Sequence, residues 1–516
     1  MSESHERTAK PSDHFPNDTS NALQNAANDA NTGLNKATNA TNNFVNKASN
    51  DVTKETKFFV SDFDNLTAVV GDDIATYINK TVFNGQRHPI VFWPAYGTSI
   101  LKVEVEGNTA ANCPTSGSFD VAFGQPTIVE GFPESCIYPL LQMQYDAANG
   151  GFSNAPGVNT SIFDFGGQFC APIPYEPLFA VAQAIGYTTG KDFMVACYDW
   201  RTNPGVEVGG GVTGGADMDL AAELVETAYN NSGGLPVYLA GHSNGPIYAL
   251  ALLHEMSADW IAKYVAGFIS YAGNWQGQGS IYSQQLISGA SLFNDAAYPS
   301  SVPAYESWPS TYISAPNPQY YGDSEVVVRT LDANGTVAAQ NYTPVDALQL
   351  FRDAGLTTAQ QLGPLLLNRT SSNQPPGTSF YGFIGTGVKT LVGNTYTTVF
   401  AGAQPVKNGE IDSIDEGDGN QENRDNEWPL TWQSEMDPCQ HFELNREEGA
   451  QHLTLPFHPS VLKRTVQILY SAPAACGGVA EAPGTDFVPA EAPSGPSSLF
   501  FTSTSPSPGS SQAGRH

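Results

Sequence analysis

Short apolar runs alternate with longer segments of helical periodicity through the middle of the chain. Four runs have the length and composition of buried strands, at Pro89–Trp93, Phe193–Tyr198, Pro236–Ala240 and Val265–Tyr271. Three segments have the apolar spacing of helices, at Glu176–Ile185, Asp217–Tyr229 and Pro246–Met256. This alternation predicts a mostly parallel sheet with crossover helices, which is an α/β fold.

The two ends of the chain differ from this middle part. Residues 1–57 are polar and rich in Asn, with an 11-residue repeat that begins at Leu23, Leu34 and Val45. Eleven residues make about three helical turns, so a helix would carry a narrow apolar strip. An amphipathic helix on a lipid surface and a disordered arm both fit, and the Asn and Thr content favours the arm. Residues 481–516 are rich in Pro, Ser and Gly, which predicts a disordered tail.

Composition limits the function classes. The chain has 516 residues, with 22 Lys and Arg against 51 Asp and Glu, and this net charge of −29 argues against nucleic-acid binding. No apolar run approaches the roughly 18 residues that span a bilayer, and the first residues lack the apolar stretch of a secretory signal. The six cysteines include no CxxC pair, so we expect no zinc site, while disulfides remain possible. We expect neither a metal nor a nucleotide cofactor.

The strongest local signal for chemistry is a strand, a sharp turn and a helix around Ser243. The strand Leu235–Ala240 runs into Gly241-His-Ser243-Asn-Gly245, and an apolar helix follows from Pro246. A G-x-S-x-G turn needs small residues on both sides because its serine sits in a strained conformation above the sheet. We predict that Ser243 is a nucleophile, and an ordinary turn serine is the alternative.

A nucleophilic serine needs a base and an orienting acid, in the order Ser, Asp, His. The acid is predicted at Asp418, in a Gly-flanked acidic turn, with Asp412 and Asp415 as rivals and a solvated surface acid as the alternative. The base is predicted at His452, in a loop before the helix-like run Pro459–Leu469. His441 and His458 are its rivals, and a structural histidine is the alternative.

A second glycine-rich stretch, Gly209–Gly214, matches G-x-G-x-x-G. The segment before it has no buried-strand pattern, and no acidic partner on a second strand is evident. We therefore predict a flexible loop here and no dinucleotide site.

Several motifs together carry a resemblance. The resemblance rests on the G-x-S-x-G turn around Ser243, called the elbow below, and on Asn154-Ala-Pro-Gly-Val158, Tyr198-Asp-Trp-Arg201 and Gly449-Ala-Gln-His452-Leu. Through these motifs the chain resembles the lecithin:cholesterol acyltransferase family, which includes lysosomal phospholipase A2 and phospholipid:diacylglycerol acyltransferase. The likeness runs from about His88 to Leu469. It implies an α/β-hydrolase with a mostly parallel central sheet over residues 58–480, with a lid at about 108–140 and a cap at about 273–400.

The resemblance also implies an activity and a site. The enzyme would cleave a phospholipid acyl ester and pass the acyl group to a sterol or other lipid alcohol, with a phospholipase that transfers to water as the alternative. Ser243, Asp418 and His452 would be nucleophile, acid and base, and the N–H groups of Tyr96 and Asn244 would form the oxyanion hole. A hypothesis from another class is a non-catalytic protein of lipid surfaces.

Other expectations follow from the same resemblance. Tyr198, Asp199, Trp200 and Arg201 would line the substrate region, with core packing as the alternative. Cys113 and Cys136 would close the lid loop through a disulfide, which favours a secreted or organelle-lumenal protein, with a cytoplasmic lipid surface as the alternative. Its partners would be phospholipid and lipid-alcohol substrates and the surface of a membrane, lipoprotein or lipid droplet, bound peripherally.

Two positions depart from the family pattern. The family usually has Pro-Gly at the oxyanion loop, whereas this chain has Pro94-Ala95, and alanine fits only where φ is negative. Asp418 is followed by Gly-Asn-Gln, whereas the family typically continues as Asp-Gly-Thr-Val or Asp-Asp-Thr-Val. The assignment of Asp418 therefore depends on its order in the chain and on its flanking glycines.

Overall fold

The computed structural model describes residues 86–471, apart from gaps at 109–112, 123–133, 291–298, 333–334, 336–337, 368–373 and 408–409. The predicted N-terminal arm, the predicted tail and part of the predicted lid lie outside the described residues. Among the residues that are described, no helix has both the length and the apolar character needed to cross a bilayer.

Strands and helices alternate through most of the described chain. In chain order the strands are β1 (Ile90–Trp93), β2 (Leu101–Glu106), β3 (Ser116–Val121), β4 (Met143–Asp146), β5 (Gly151–Asn154), β6 (Val158–Ile162), β7 (Phe193–Val195), β8 (Val208–Gly209), β9 (Val237–His242), β10 (Val265–Tyr271), β11 (Val328–Leu331), β12 (Ala338–Tyr342), β13 (Phe380–Thr386), β14 (Val388–Tyr396), β15 (Glu410–Gly417) and β16 (Phe442–Glu448).

Most helices are short, and several begin with proline, which suits the first helical turn. The α-helices are α1 (Glu134–Leu141), α2 (Pro172–Ala184), α3 (Met218–Asn231), α4 (Gly245–Glu255), α5 (Ala258–Tyr264), α6 (Val302–Ser307), α7 (Pro309–Ser314), α8 (Pro318–Tyr321), α9 (Ala347–Asp353), α10 (Thr357–Leu366), α11 (Asn423–Asn426) and α12 (Pro459–Leu469). A π-helix covers Ile281–Ser288.

A six-stranded sheet forms the centre, in the order β16-β13-β10-β9-β1-β7. Every neighbouring pair in it is parallel. Strand β10 has the predicted bounds, whereas the predicted strand at Phe193–Tyr198 ends at Val195 because Cys197 and Tyr198 turn away to pair with the chain at 214–215. The predicted α/β-hydrolase class, with its mostly parallel sheet, is confirmed.

Side chains of the central strands alternate between two apolar layers, as the pleat requires. Val91 and Trp93 face a core that includes residues of α3 and α4. Ile90 and Phe92 face a second core, made with α2 and α12. All residues of β9 and β10 are buried, so the sheet is covered on both faces.

Two insertions depart from the simple alternation. Between β1 and α2 the chain builds the sheet β3-β2-β6 and the paired strands β4 and β5, and β5 also pairs with β8. Between β10 and β13 it builds helices α6 to α10 and the hairpin β11–β12, and these strands join β14 and β15 in a four-stranded sheet. The predicted lid falls in the first insertion, and most of the predicted cap falls in the second.

The glycine-rich stretch at 209–214, predicted to be a loop, pairs with the backbone of two neighbouring segments. Gly211 bridges Thr160, and Gly214 bridges Tyr198. A Cβ atom on Gly214 would lie 2.4 Å from the carbonyl oxygen of Cys197. These glycines allow two backbones to approach closely, which explains the pattern without a nucleotide.

Candidate active site

Ser243 lies on the turn between β9 and α4, at the carboxyl end of the central sheet. Its φ of +60° is one of three positive values at non-glycine residues among those described. The Ser243 N–H donates to the carbonyl oxygen of Tyr271 at 2.9 Å, and its carbonyl oxygen accepts from the Asn274 N–H at 2.9 Å. The neighbouring strand β10 and the turn after it therefore hold a strained conformation in place.

The two glycines of this elbow are required by close contacts. A Cβ on Gly241 would lie 2.6 Å from the backbone nitrogen of Pro246. A Cβ on Gly245 would lie 2.1 Å from the carbonyl oxygen of Trp93, at the end of β1. The loop after β1, which contains Tyr96, is thus packed directly against the start of α4.

The structure brings Ser243, His452 and Asp418 together. Nε2 of His452 lies 2.9 Å from Oγ of Ser243, and Nδ1 lies 2.8 Å from Oδ2 of Asp418. Because a carboxylate only accepts, Nδ1 carries the hydrogen and Nε2 accepts from the serine hydroxyl. All three side chains are buried.

The environment of Asp418 favours its charged form. Burial opposes ionisation, but the adjacent His452 and hydrogen bonds from the N–H groups of Asn420 and Gln421 outweigh it and lower the pKa of Asp418. Those two N–H groups lie 3.0 and 2.7 Å from Oδ1. Nδ2 of Asn426 adds a third hydrogen bond at 3.2 Å, to Oδ2. The carboxylate is therefore fixed in position as well as charged.

The rival residues lie elsewhere. Asp412 and Asp415 belong to strand β15, before the turn that carries Asp418. His441 contacts Glu443 at 3.0 Å, and His458 contacts Ser460 at 2.7 Å. Neither of these histidines contacts Ser243.

Asn244 and Tyr96, the two residues predicted to supply oxyanion donors, lie on adjoining segments beside Ser243. Asn244 is the N-cap of α4, and the first N–H groups of a helix have no acceptor within the helix. Tyr96 lies on the loop after β1 that touches Gly245. Ala95 is not among the described residues with positive φ, so the alanine is accommodated here without backbone strain.

Two side chains whose role the sequence did not reveal form hydrogen bonds with the side chain of Asn244. Nδ2 of Asn274 donates to Oδ1 of Asn244 at 2.7 Å. Nδ2 of Asn244 donates to Oγ of Ser314, at the end of α7, also at 2.7 Å. The residue after the serine is thus tied both to the turn after β10 and to the second insertion.

The Tyr-Asp-Trp-Arg segment is fully buried beside the site. The Tyr198 hydroxyl donates to the carbonyl oxygen of Pro94 at 3.0 Å, and Nε1 of Trp200 donates to that of Ser99 at 3.1 Å. Nη2 of Arg201 lies 2.6 Å from Oδ2 of Asp199. These contacts support the loop after β1 from behind and leave the guanidinium enclosed.

Two disulfides link described residues. One joins Cys113 to Cys136 within the first insertion, and the other joins Cys170 to Cys197 beside β7. Cys439 is disulfide-bonded as well. The sequence left disulfides possible but assigned no partner to Cys170.

Comparisons with known proteins give consistent matches. A model of the family described as lecithin:cholesterol acyltransferase matches residues 148–299. Phosphatidylcholine-sterol acyltransferase of Rattus norvegicus is 24% identical over 358 residues, which cover 65% of this chain and 74% of that enzyme. Lysosomal phospholipase A and acyltransferase of Bos taurus is 30% identical over 213 residues, which cover 40% of this chain and 47% of that enzyme. This second match therefore spans about half the length of the relative.

A comparison with solved structures gives a more distant match. The crystal structure of the Tle4-Tli4 complex aligns with a TM-score of 0.41 and 12% identity, over 75% of this chain and 99% of that chain.

Proposed function

We propose that this chain, which is related to the lecithin:cholesterol acyltransferase family, cleaves an acyl ester of a phospholipid and transfers the acyl group to a lipid alcohol. The observation that carries the proposal is the unbroken series of hydrogen bonds from Ser243 through His452 to Asp418. Ser243 lies on a strained elbow at the carboxyl end of a parallel sheet, which is where such a turn exposes the serine hydroxyl above the strands.

The contacts support acyl transfer in two steps. His452 removes the proton from Ser243 as Oγ attacks the ester carbonyl, and Asp418 stabilises the imidazolium that forms. The N–H groups of Asn244 and Tyr96 stabilise the oxyanion, each by a typical amount of about 3 kcal/mol. His452 then protonates the leaving alcohol, and the acyl group remains on Ser243.

The second step decides between a transferase and a phospholipase. His452 accepts the proton of the incoming hydroxyl, and this group is either a lipid alcohol or water. Ser243 is only 7% exposed, so either acceptor must enter the site to reach the acyl-serine, and the resemblance to an acyltransferase family is what favours the alcohol. The names of the two relatives include both an acyltransferase acting on a sterol and a phospholipase.

We further propose peripheral association with a lipid surface and maturation in an oxidising compartment. The disulfides support secretion or residence in an organelle lumen. The N-terminal repeat is the candidate for lipid contact, and deletion of residues 1–57 should lower flotation with phosphatidylcholine vesicles. Unchanged flotation would rule out this role for the repeat.

The decisive experiment is product analysis on phosphatidylcholine vesicles, with and without a sterol or diacylglycerol. Wild type and Ser243→Ala are compared. A new ester that forms only with the acceptor supports the transferase. Fatty acid and lysolipid in equal amounts with or without acceptor would establish a phospholipase instead. Absence of any Ser243-dependent product would contradict both and favour the non-catalytic alternative.

A further inference from the structure

A row of buried hydrogen bonds joins the oxyanion loop to the loop of His452. The N–H of Ala95 donates to the Tyr175 hydroxyl at 2.7 Å. The Tyr175 oxygen lies 2.7 Å from Nδ1 of His242, and Nε2 of His242 lies 2.9 Å from the carbonyl oxygen of His452. Tyr175 and His242 are fully buried, and the proposed reaction assigns neither a role.

The direction of each hydrogen bond is determined by its partners. The carbonyl oxygen of His452 only accepts, so Nε2 of His242 carries the hydrogen. Nδ1 must then accept from the Tyr175 hydroxyl, whose oxygen in turn accepts from Ala95. This pattern needs a neutral imidazole, and burial together with the nearby His452 lowers the pKa of His242 to about 3.

One end of the row contacts the proposed oxyanion loop, and the other end contacts the backbone of the proposed base. Ala95 precedes Tyr96, whose N–H is an oxyanion donor in the proposed function. At the other end, the backbone of His452 is held from two sides, since its N–H donates to the carbonyl oxygen of Asp418 at 2.7 Å. The row therefore relates the position of the oxyanion hole to that of the base.

We propose that Tyr175 and His242 are positioning residues that hold the oxyanion loop and the main chain of His452 in one fixed relation. The inference rests on the roles that the proposed function gives to Ser243 and His452. Misplacement of a reacting group by about 1 Å can lower a rate about 100-fold, so loss of this link should slow the chemical step without weakening binding.

The choice of a histidine for this position has a second consequence. The ring centroids of His242 and His452 are 5.1 Å apart. His452 gains a positive charge when it takes the serine proton, and a neutral neighbour does not oppose that charge. His242 can thus donate to the main chain of the base without raising the energy of the imidazolium.

The test measures the labelling of Ser243 by an uncharged fluorophosphonate, because this reaction needs the activated serine but no lipid. Tyr175→Phe removes the hydroxyl and keeps the ring, whose centroid lies 4.9 Å from that of Phe92. Tyr187→Phe is the matched control, since Tyr187 is a buried tyrosine of the same apolar core and donates to the carbonyl oxygen of His88. The maximal labelling rate and the half-saturating probe concentration are measured for each folded variant.

Two substitutions of His242 distinguish positioning from packing. His242→Gln retains an N–H at the place of Nε2, and His242→Asn retains a polar atom only at the place of Nδ1. Positioning predicts that the glutamine variant labels faster than the asparagine variant. A role in packing alone predicts that the two rates follow the thermal stabilities of the variants.

We expect Tyr175→Phe to reduce the maximal labelling rate about 10- to 100-fold, with the half-saturating concentration unchanged and Tyr187→Phe at the wild-type rate. A Tyr175→Phe rate equal to that of Tyr187→Phe would overturn the inference, as would equal rates for the two His242 variants. A wild type that resists the probe would contradict the inference and the activated serine together. Labelling without any lipid product would contradict only the lipid function.

Discussion

The side-chain oxygen of Asn154 accepts a hydrogen bond of 2.8 Å from Nη2 of Arg201. The contact joins the end of β5, in the first insertion, to the segment that follows β7. The same guanidinium pairs with Asp199 and donates from Nη1 to the carbonyl oxygen of Leu141 at 3.2 Å. Two motifs that are 47 residues apart therefore form one buried cross-link between the insertion and the central sheet.

Arg201→Lys should lower the free energy of unfolding by about 3 kcal/mol. A lysine cannot reproduce the forked hydrogen bonds, so Asp199 and Asn154 lose partners in a buried place. Asn154→Ala should lower it by about 1 to 3 kcal/mol. Urea denaturation of the two single variants and the double variant measures the coupling, and strictly additive losses would contradict a direct contact.

The hydrogen bonds of the Asn244 side chain lead to a prediction about catalysis. Asn244→Ala retains the backbone N–H but removes the hydrogen bonds to Asn274 and Ser314. We expect kcat for the lipid substrate to fall about 10-fold, with a smaller change in KM, because a loosened oxyanion donor loses part of a stabilisation of about 3 kcal/mol. Ser314→Ala alone should have a weaker effect in the same direction. The double variant should be no slower than Asn244→Ala, and an additive loss would count against the link.

The strained elbow predicts that glycine at position 243 gives a more stable fold than alanine. The free energy of unfolding of Ser243→Gly should exceed that of Ser243→Ala by about 1 kcal/mol. Glycine adopts a φ of +60° without the steric penalty that alanine retains. Both variants lack the nucleophile and should form no product. Denaturation curves measured side by side test this, and equal midpoints would argue that the turn is relaxed.

A buried acidic group predicts that stability depends on pH. Burial and the neighbouring carboxylate of Glu422 raise the pKa of Glu325 to about 9, although Arg424 lies 3.5 Å away. The unfolded chain ionises this carboxyl near its ordinary pKa of about 4.3, so the folded state binds more protons between these values. Stability therefore falls as the pH rises through this range.

Glu325→Gln removes this loss. The variant should match wild type near pH 4 and exceed it at pH 8 by more than about 1 kcal/mol, because one pKa unit corresponds to about 1.4 kcal/mol. Glu443→Gln is the opposite control. Hydrogen bonds from Arg464, His441 and Asn445 outweigh burial and hold the pKa of Glu443 well below its usual range. That variant should be less stable than wild type at pH 8 and should approach it as the pH falls below about 4.

The sequence alone determined the parts of this protein that depend on local pattern. Strand β10 and helix α12 have the bounds that their apolar runs predicted, because strands of a parallel sheet are buried on both faces and leave continuous apolar segments. The elbow is also local, since two glycines, a serine and the flanking strand and helix specify its geometry. The α/β class follows from these elements and is confirmed.

Other features were decided only by the tertiary structure. Strands β14 and β15 lie between β13 and Asp418 in the chain. Asp412, Asp415 and Asp418 therefore all follow Ser243 and precede His452, so their order in the chain could not show which of them is the acid. Gly385 has no side chain, which allows the segments of Asp418 and Ala450 to pack against it. A Cβ atom at this position would lie 3.0 Å from the Cβ of Asp418 and 2.1 Å from the carbonyl oxygen of Ala450.

The hydrogen bonds of Tyr175 and the disulfide of Cys170 were also decided only by the tertiary structure. Tyr175 contacts residues 80 and 67 positions away, and the two cysteines are 27 positions apart. Such contacts depend on which strands become neighbours in the sheet. Apolar periodicity shows that a segment is buried, but not which distant segment covers it, so the supports of the site emerge only when the sheet is assembled.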